Sequence, residues 1–190
     1  VNIDVDEQPT GDFQIGVTFG TIEGATLITE LNEKNIAGTG RDLSFIINTS
    51  ENKSKYKLSS NEPFAFNRPI DLLYGLEFNE SDLSSSSSYQ VETLKFDSGI
   101  NFDISNKIEY GFNINYELKD YSITNSSTAS SSIINSSGKN AYINFINNIN
   151  YYDLNSFVNP SEGTSINYKN TISPSTNSNG SLIKNEIVHR

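Results

Sequence analysis

The feature that most constrains this chain is an alternation of apolar and polar residues with a period of two. In residues 13–20 (FQIGVTFG) every second residue is large and apolar, and the residues between them are polar or glycine. Such an alternation is typical of a β-strand with one apolar face. A turn at 21–24 and a second apolar series at 25–31 follow, so that residues 11–40 predict a β-hairpin and a further, glycine-bounded turn. The apolar face of the first strand consists of Phe13, Ile15, Val17 and Phe19, and its other face of Gln14, Gly16, Thr18 and Gly20.

The same alternation recurs along the rest of the chain and predicts an all-β, antiparallel protein with about ten strands. Two Ser- and Asn-rich stretches, 80–88 and 124–139, contain too few apolar residues to build a core and are predicted as loops. The further predicted strands are 41–48, 55–60, 70–79, 89–103, 108–122, 143–151, 164–173 and 182–188.

The composition narrows the classes of protein that the chain can belong to. The 190 residues include no cysteine, which excludes a disulfide scaffold and thiolate metal sites. The formal net charge of −10 argues against a nucleic-acid partner, because such a partner requires a basic surface. No apolar run approaches the roughly 18 residues of a membrane helix. The regular alternation argues against disorder and leaves a soluble β-sandwich and a transmembrane β-barrel open.

Four features favour the barrel. The connections after odd-numbered strands are charged or Ser- and Asn-rich, whereas those after even-numbered strands are short or contain Gly, Pro and aromatic residues, as at the two ends of a bacterial barrel. Strands 89–103 and 108–122 exceed the usual length of about 5–6 residues, which suits tilted membrane crossings. A hydrated lumen would accommodate the charges opposite the apolar faces, namely Glu30, Asp71, Glu77, Glu109, Glu117 and Lys169. Aromatic residues near strand ends predict interfacial girdles that contain Tyr74, Phe78, Phe102, Tyr116 and Tyr151.

Four motifs resemble the family of the outer-membrane assembly factor BamA. The sequence VNIDVDEQPTG followed by DFQIGVTFG is similar to the last strand of a periplasmic POTRA domain that runs into the first barrel strand. ATLITELNEKNIAGTGRDLSF is similar to the second strand, its Asn-x-x-Gly-Thr-Gly turn and the third strand. SSNEPFAFNRPIDLLYGLEF is similar to the aromatic-proline turn and the fifth strand, and YYDLNSFVNPSEGTSINYKNTIS to the Asp-containing turn and the ninth strand.

This resemblance implies how the chain is divided. Residues 1–10 are expected to be the end of the last POTRA domain. Residues 11–190 are expected to be the N-terminal part of an outer-membrane β-barrel, about the first ten of about sixteen strands. From the residues alone, the alternation in 1–7 also fits an edge strand of the same sheet.

The resemblance also implies a location and a function. We expect a protein of the bacterial outer membrane that inserts client β-barrel proteins there, as BamA does within the BAM complex, without ATP or a cofactor. The expected partners are outer-membrane lipid, unfolded outer-membrane β-barrel clients, periplasmic chaperones and assembly-complex lipoproteins. The alternatives within the outer membrane are a TamA-type assembly factor, a two-partner secretion transporter, and a passive porin or adhesin barrel. The last alternative is a soluble Ser- and Asn-rich β-sandwich.

The resemblance places the candidate site at the free edge of the first strand. A closed barrel pairs its first strand with its last, and glycine weakens the interior of a strand. In the family this seam opens as a lateral gate, where the C-terminal strand of a client would add by β-augmentation. The alternative is that Gly16 and Gly20 relieve crowding in the lumen or permit curvature. The predicted substrate-pairing residues are Phe13, Gln14, Ile15, Gly16, Val17, Thr18, Phe19 and Gly20.

Catalysis is not predicted. His189 is the only histidine, and no candidate nucleophile is associated with it. Asp4, Asp6 and Glu7 lack the glycine-containing loop of an EF-hand. We therefore expect a protein that is not an enzyme and that has no metal or cofactor site.

Overall fold

The computed structural model describes residues 10–21, 24–156, 158–174 and 180–190, and this part of the chain forms one antiparallel sheet of ten strands. The strands lie in the sheet in chain order, so that each pairs with the next. Their bounds are β1 Gly11–Gly20, β2 Gly24–Glu33, β3 Asp42–Thr49, β4 Lys53–Glu62, β5 Ile70–Asp82, β6 Tyr89–Ser105, β7 Ile108–Ile123, β8 Gly138–Leu154, β9 Gly163–Ser173 and β10 Leu182–His189.

The connections segregate to two rims, as the alternating loop character predicted. Even-numbered strands end at the rim that we call the lower rim, and odd-numbered strands end at the opposite, upper rim. The longest connection between described strands, 124–137, belongs to the upper rim and contains the helix α2, Ser131–Asn135. A second helix, α1 (Ser84–Ser87), lies in the connection 83–88 of the same rim. No helix in the described ranges is long and apolar enough to span a membrane.

One face of the sheet is apolar across its strands. Residues directly opposite each other on neighbouring strands share a face, so the register determines which side chains lie side by side. One row across eight strands consists of Phe13, Leu31, Phe45, Leu58, Leu76, Phe96, Tyr116 and Ile143. Each member of this row belongs to the apolar residues that alternate within its predicted strand, and the register places all eight on the same face.

Within the described residues, no second layer covers this apolar face. Ala65, in a lower-rim turn, is the only buried apolar residue among them, and none of their large side chains is fully buried. A soluble sandwich would bury the face against a second sheet, whereas the wall of a membrane barrel exposes it to lipid. The sheet is therefore an unclosed, ten-stranded part of a barrel, as predicted.

The opposite face is polar and carries paired charges. The ammonium of Lys55 lies 3.2 Å from the Glu77 carboxylate, and that of Lys95 lies 3.4 Å from the Asp97 carboxylate. Asn115, which is only 4% exposed, donates a hydrogen bond from Nδ2 to Asp97 Oδ1 at 2.8 Å. Neutralised charges and amide networks of this kind suit a hydrated lumen.

The sheet curls towards this polar face. Lys57 on β4 and Lys169 on β9 line one cavity of about 360 Å³, although four strands separate them in the sheet. Side chains so far apart in the strand order line a common cavity when their face is concave. The polar face is therefore the inner face of the barrel wall, and the apolar face is the outer one.

The strands are staggered, as barrel closure requires. A row that begins at Val17, within the apolar face of β1, reaches charged residues on β5 to β8. Because the strands of a barrel tilt, residues that lie opposite each other on successive strands come progressively closer to one rim. β6, β7 and β8 contain 17, 16 and 17 residues and extend above the apolar part of the wall. The lengths of β6 and β7 confirm the long strands predicted at 89–103 and 108–122, whereas β8 exceeds its predicted range of 143–151. The row consists of Val17, Leu27, Thr49, Ser54, Glu80, Glu92, Asp120 and Lys139.

Several strands are longer than the alternation predicted. β4 begins at Lys53 and ends at Glu62, whereas the prediction covered 55–60. β5 continues to Asp82 and β8 begins at Gly138, so the predicted loops 80–88 and 124–139 are shorter than expected. Polar residues form the ends of these strands because the backbone hydrogen bonds between neighbouring strands continue beyond the apolar segment.

Candidate functional site

The predicted substrate-pairing residues all lie on β1, at one end of the sheet. β1 pairs with β2 over its whole length, from Gly11 opposite Glu33 to Gly20 opposite Gly24. No described strand pairs with its other edge, and the same holds for the outer edge of β10. Phe19 is 83% exposed, and all ten residues of β1 are exposed.

The free edge of β1 presents unpaired backbone groups. In an antiparallel strand, alternate residues direct their N–H and C=O groups to opposite sides. About half of these groups in β1 therefore point away from β2. Buried or lipid-surrounded backbone groups need hydrogen-bond partners, so a strand must pair with this edge within the membrane.

The inner face of β1 makes few side-chain contacts. A Cβ placed on Gly16 would meet no heavy atom within 4 Å. By contrast, a Cβ on Gly99 would overlap the side chain of Asn113, and one on Gly111 would overlap that of Asn101. Crowding by the described strands therefore explains why positions 99 and 111 are occupied by glycine, but it does not explain the glycine at position 16.

The lower end of β1 is anchored more firmly than its middle. The Thr10 hydroxyl donates a hydrogen bond to the Glu33 carboxylate, and the Lys34 N–H donates to the Thr10 carbonyl at 3.5 Å. Glu33 also accepts from the Asn35 N–H at 3.1 Å. Along the strand itself, the Gln14 amide donates to Asp12 on the same strand, at 2.9 Å. These contacts hold β1 to the lower rim and leave its edge open.

Other candidate groups do not assemble into a site. His189 is the last residue of β10 and is exposed, whereas Asp4, Asp6 and Glu7 lie outside the described residues. The described part of the chain contains no group of three or more His, Cys, Asp or Glu residues placed to hold a metal ion. The predicted serine-rich loop at 80–88 contains α1.

Near the lower rim, an ion pair joins the turn between β6 and β7 to the end of β8. Lys107, in the turn between β6 and β7, donates from Nζ to Asp153 Oδ1 at 2.7 Å. The hydrogen bond and the charge of Asp153 raise the pKa of the Lys107 ammonium above its ordinary value. Tyr151 also donates to this carboxylate, at 3.3 Å. The Lys107 and Asp153 side chains are each about half exposed. Their ion pair therefore contributes more to positioning the turn against β8 than to the stability of the protein.

A ladder of three asparagines on the outer face was not predicted. Asn147 Nδ2 donates to Asn170 Oδ1 at 3.4 Å, and Asn170 Nδ2 donates to Asn185 Oδ1 at 2.9 Å. The hydroxyls of Tyr110 and Tyr168 donate to Asn147 and Asn185 at 2.7 and 2.8 Å. The three asparagines lie side by side on β8, β9 and β10.

The signal for this ladder was present as gaps in the alternation. Apolar residues surround the ladder on the outer face of each strand, namely Phe145 and Ile149, Tyr168 and Ile172, and Ile183 and Ile187. The alternation of β8 and β9 skips position 147 and position 170, where asparagine replaces the expected apolar residue. Only the register shows that the two gaps coincide, and that Asn185 continues them.

Removing the middle of this ladder will destabilise the barrel. In Asn170→Val the Nδ2 group of Asn147 loses its acceptor within an apolar face, and we expect a cost of about 1–3 kcal/mol in the free energy of unfolding. A variant in which all three asparagines are valine and both Tyr110 and Tyr168 are phenylalanine should regain part of that stability, because neither an amide nor a tyrosine hydroxyl of the ladder remains without a partner. Denaturant unfolding of the complete barrel in lipid vesicles measures both effects.

Thr171→Val is the matched control, since Thr171 lies next to Asn170 on the same strand but on the inner face. We expect it to change the stability by less than the Asn170→Val variant does. An Asn170→Val variant as stable as the Thr171→Val variant would show that the ladder contributes nothing.

Residues 35–188 match the model of the Omp85 superfamily domain. No curated protein matches the chain. Among solved structures, the chain is similar to BamA from Haemophilus ducreyi lacking POTRA domains 1–3, with a TM-score of 0.67 and 17% sequence identity. The alignment covers 88% of this chain and 34% of that one, so the chain spans about a third of the matched protein's length. Together the two matches confirm the resemblance that the four motifs indicated.

Proposed function

This chain belongs to the Omp85 superfamily, and we propose that it forms the N-terminal part of a barrel that inserts client β-barrel proteins into the bacterial outer membrane. The outer-membrane location itself follows from the family and from the fold. The observation that carries the proposal is the position of β1 at one end of the described sheet, where β2 is its only described partner and no described heavy atom lies within 4 Å of a Cβ placed on Gly16.

In the proposed mechanism, β1 acts as a template for a client strand. An unfolded client cannot leave its backbone N–H and C=O groups unpaired within lipid. Residues 13–20 offer the complementary groups, and a client strand that pairs with them gains its first membrane-embedded hydrogen bonds by β-augmentation. Folding of the client into lipid provides the driving force, so no ATP, cofactor or catalytic residue is required.

The open inner face of β1 supports reversible opening. Side chains that interlock across a seam would have to separate each time a client entered. Because Gly16 has no side chain, it contributes nothing that could interlock with the closing strand, so the part of the seam that β1 provides at this position is its backbone hydrogen bonds. A seam of that kind exchanges the closing strand for a client strand without loss of packing.

The remaining partners follow from the same proposal. In this proposal residues 1–10 are the end of the last POTRA domain, and residues 11–190 are the N-terminal portion of the barrel. The POTRA domains would receive clients from periplasmic chaperones and would hold accessory lipoproteins of the assembly complex. Lipid of the outer membrane surrounds the apolar outer face.

A photo-crosslinking amino acid at Ile15 tests the template role. In cells that synthesise outer-membrane proteins, this position of the complete protein should crosslink to the C-terminal strands of client barrels. The same amino acid at Ile114 is the control, because Ile114 also lies on the outer face but in β7, which is paired on both sides. Mass spectrometry of the crosslinked products identifies the client segment.

Equal client crosslinking from Ile15 and Ile114 would contradict the template role of β1. Crosslinks from Ile15 to a single exported protein, with no barrel clients, would instead indicate a two-partner secretion transporter. A complete absence of polypeptide crosslinks at both positions would indicate a passive porin or adhesin barrel.

A further inference from the structure

The outer face contains a groove near the lower rim, where β3, β4, β5 and β6 lie side by side. Its volume is about 390 Å³, which is within the usual range for ligand pockets. Its apolar lining consists of Ile36, Leu43, Leu58, Leu76 and Phe96.

A small residue creates the depression. Ser60 lies between Leu43 and Tyr74 in the row that crosses β3, β4 and β5, and it fills much less space than either neighbour. Its hydroxyl donates to the Asp42 carbonyl at 2.8 Å, so this polar group is already satisfied by the backbone. The floor of the groove therefore behaves as an apolar surface, although a serine forms part of it.

A pair of opposite charges lies at the lower mouth of the groove. Arg41 Nη2 lies 2.8 Å from Glu62 Oε1, and the Tyr74 hydroxyl lies 3.4 Å from Glu62 Oε2. The Arg41 side chain is 46% exposed and precedes β3, and the hydrogen bond to Glu62 raises its pKa above the ordinary value. A guanidinium has five N–H groups, so Arg41 has donors beyond the one that contacts Glu62.

We propose that this groove binds one phospholipid with a zwitterionic, ammonium-containing headgroup, of the phosphatidylethanolamine class. One of its two acyl chains occupies the apolar groove, the phosphate contacts Arg41 and the ammonium contacts Glu62. Arginine is well suited to phosphate because its planar donors match the phosphate oxygens.

Charge complementarity selects this headgroup over other lipids. An adjacent cation and anion match a phosphate and an ammonium, whereas an anionic headgroup would meet the Glu62 carboxylate and a chain of formal net charge −10. A quaternary ammonium cannot donate a hydrogen bond to Glu62, which distinguishes phosphatidylcholine from phosphatidylethanolamine. The proposal depends on the outer face meeting lipid and is independent of client insertion.

Native mass spectrometry of the complete barrel protein tests the site. The protein is reconstituted in vesicles with equal parts of phosphatidylethanolamine, phosphatidylcholine and phosphatidylglycerol, and the lipids retained after release from the vesicles are counted. We expect one phosphatidylethanolamine to be retained. Arg41→Gln should weaken its retention about tenfold, because a hydrogen bond to a charged group is lost.

Ser60→Leu fills the groove and should abolish retention, whereas Thr29→Leu adds similar bulk to the outer face of β2 and should leave retention unchanged. Arg68→Gln removes a positive charge from the neighbouring lower-rim turn and is the control for Arg41→Gln, because it should leave lipid retention unchanged. Retention of all three lipids in equal amounts, or full retention in both Arg41→Gln and Ser60→Leu, would overturn the proposal. The shift in gel mobility between unheated and heated samples verifies that each variant is folded.

Discussion

A disulfide that joins β1 to the strand that closes the barrel is expected to abolish the insertion of client proteins, and a reductant is expected to restore it. The reason is that a covalent seam keeps the edge of β1 paired, so that no client strand can add to it. We expect near-complete loss of assembly when the crosslink is complete. The assay is the folding of a model outer-membrane barrel into vesicles that contain the complete protein.

The chain offers a matched control for this experiment. Gly16→Cys provides one thiol in both arms, and the chain contains no native cysteine that could compete. In the test arm the second cysteine faces position 16 on the closing strand. In the control arm it is Ile28→Cys on β2, which pairs directly with Gly16. Directly opposed Cβ atoms lie about 4.5–5.5 Å apart, close to the range that a disulfide bridges.

The control crosslink joins two strands that stay paired in every state of the proposed mechanism. We therefore expect it to leave client insertion intact. Normal insertion with the closing seam fully crosslinked would refute gating at β1. Loss of insertion in both arms would show that Gly16 cannot be changed to cysteine without damage, and Thr18→Cys with Thr26→Cys, the next pair on the same face, then provides the control.

A lysine on the outer face should destabilise the barrel far more than a lysine one residue away on the inner face. Phe45 lies in the apolar row of the outer face, and Ser44 precedes it with its side chain on the inner face. A cation in the middle of the lipid-facing band costs about 2–4 kcal/mol, whereas a hydrated lumen accepts it with little cost. We therefore expect Phe45→Lys to lower the stability by about this amount and Ser44→Lys by less than about 1 kcal/mol.

The measurement is denaturant unfolding of the complete protein in vesicles, with Phe45→Ala as the control for lost side-chain volume. The cost of the charge is the difference between Phe45→Lys and Phe45→Ala. Equal stability of the Phe45→Lys and Ser44→Lys variants would show that the two faces do not differ in environment, and it would contradict the assignment of the apolar face to lipid.

Much of the fold could be predicted from the sequence because strand alternation is a local property. The side chains of Phe13 and Ile15 must share a face whatever the rest of the chain does, because successive residues of a strand point to opposite sides. The same rule predicted the apolar faces at Leu58, Phe96 and Tyr116, which the register confirms. The strand ends were less predictable, because residues such as Glu62 and Asp82 join strands through backbone hydrogen bonds.

The alignment of one strand with the next could not be predicted in the same way. A slip of one residue would exchange the two faces, but a slip of two residues leaves every apolar side chain on its own face. Alternation therefore cannot show that Asn147, Asn170 and Asn185 lie side by side, or that Ser60 lies between Leu43 and Tyr74. The ladder and the groove both depend on this register.

The candidate site combines both kinds of information. The sequence by itself determined that residues 13–20 form a strand with an apolar face and small residues opposite, since these are consequences of local geometry. The motifs suggested that this strand begins a barrel, and its role as a template for clients stays a prediction. The tertiary structure was needed to show that β2 is the only described partner of β1 and that no described atom lies near a Cβ placed on Gly16, because both depend on which strands are neighbours. Neighbours in a sheet are selected by pairing over the whole chain, and no local pattern contains that information.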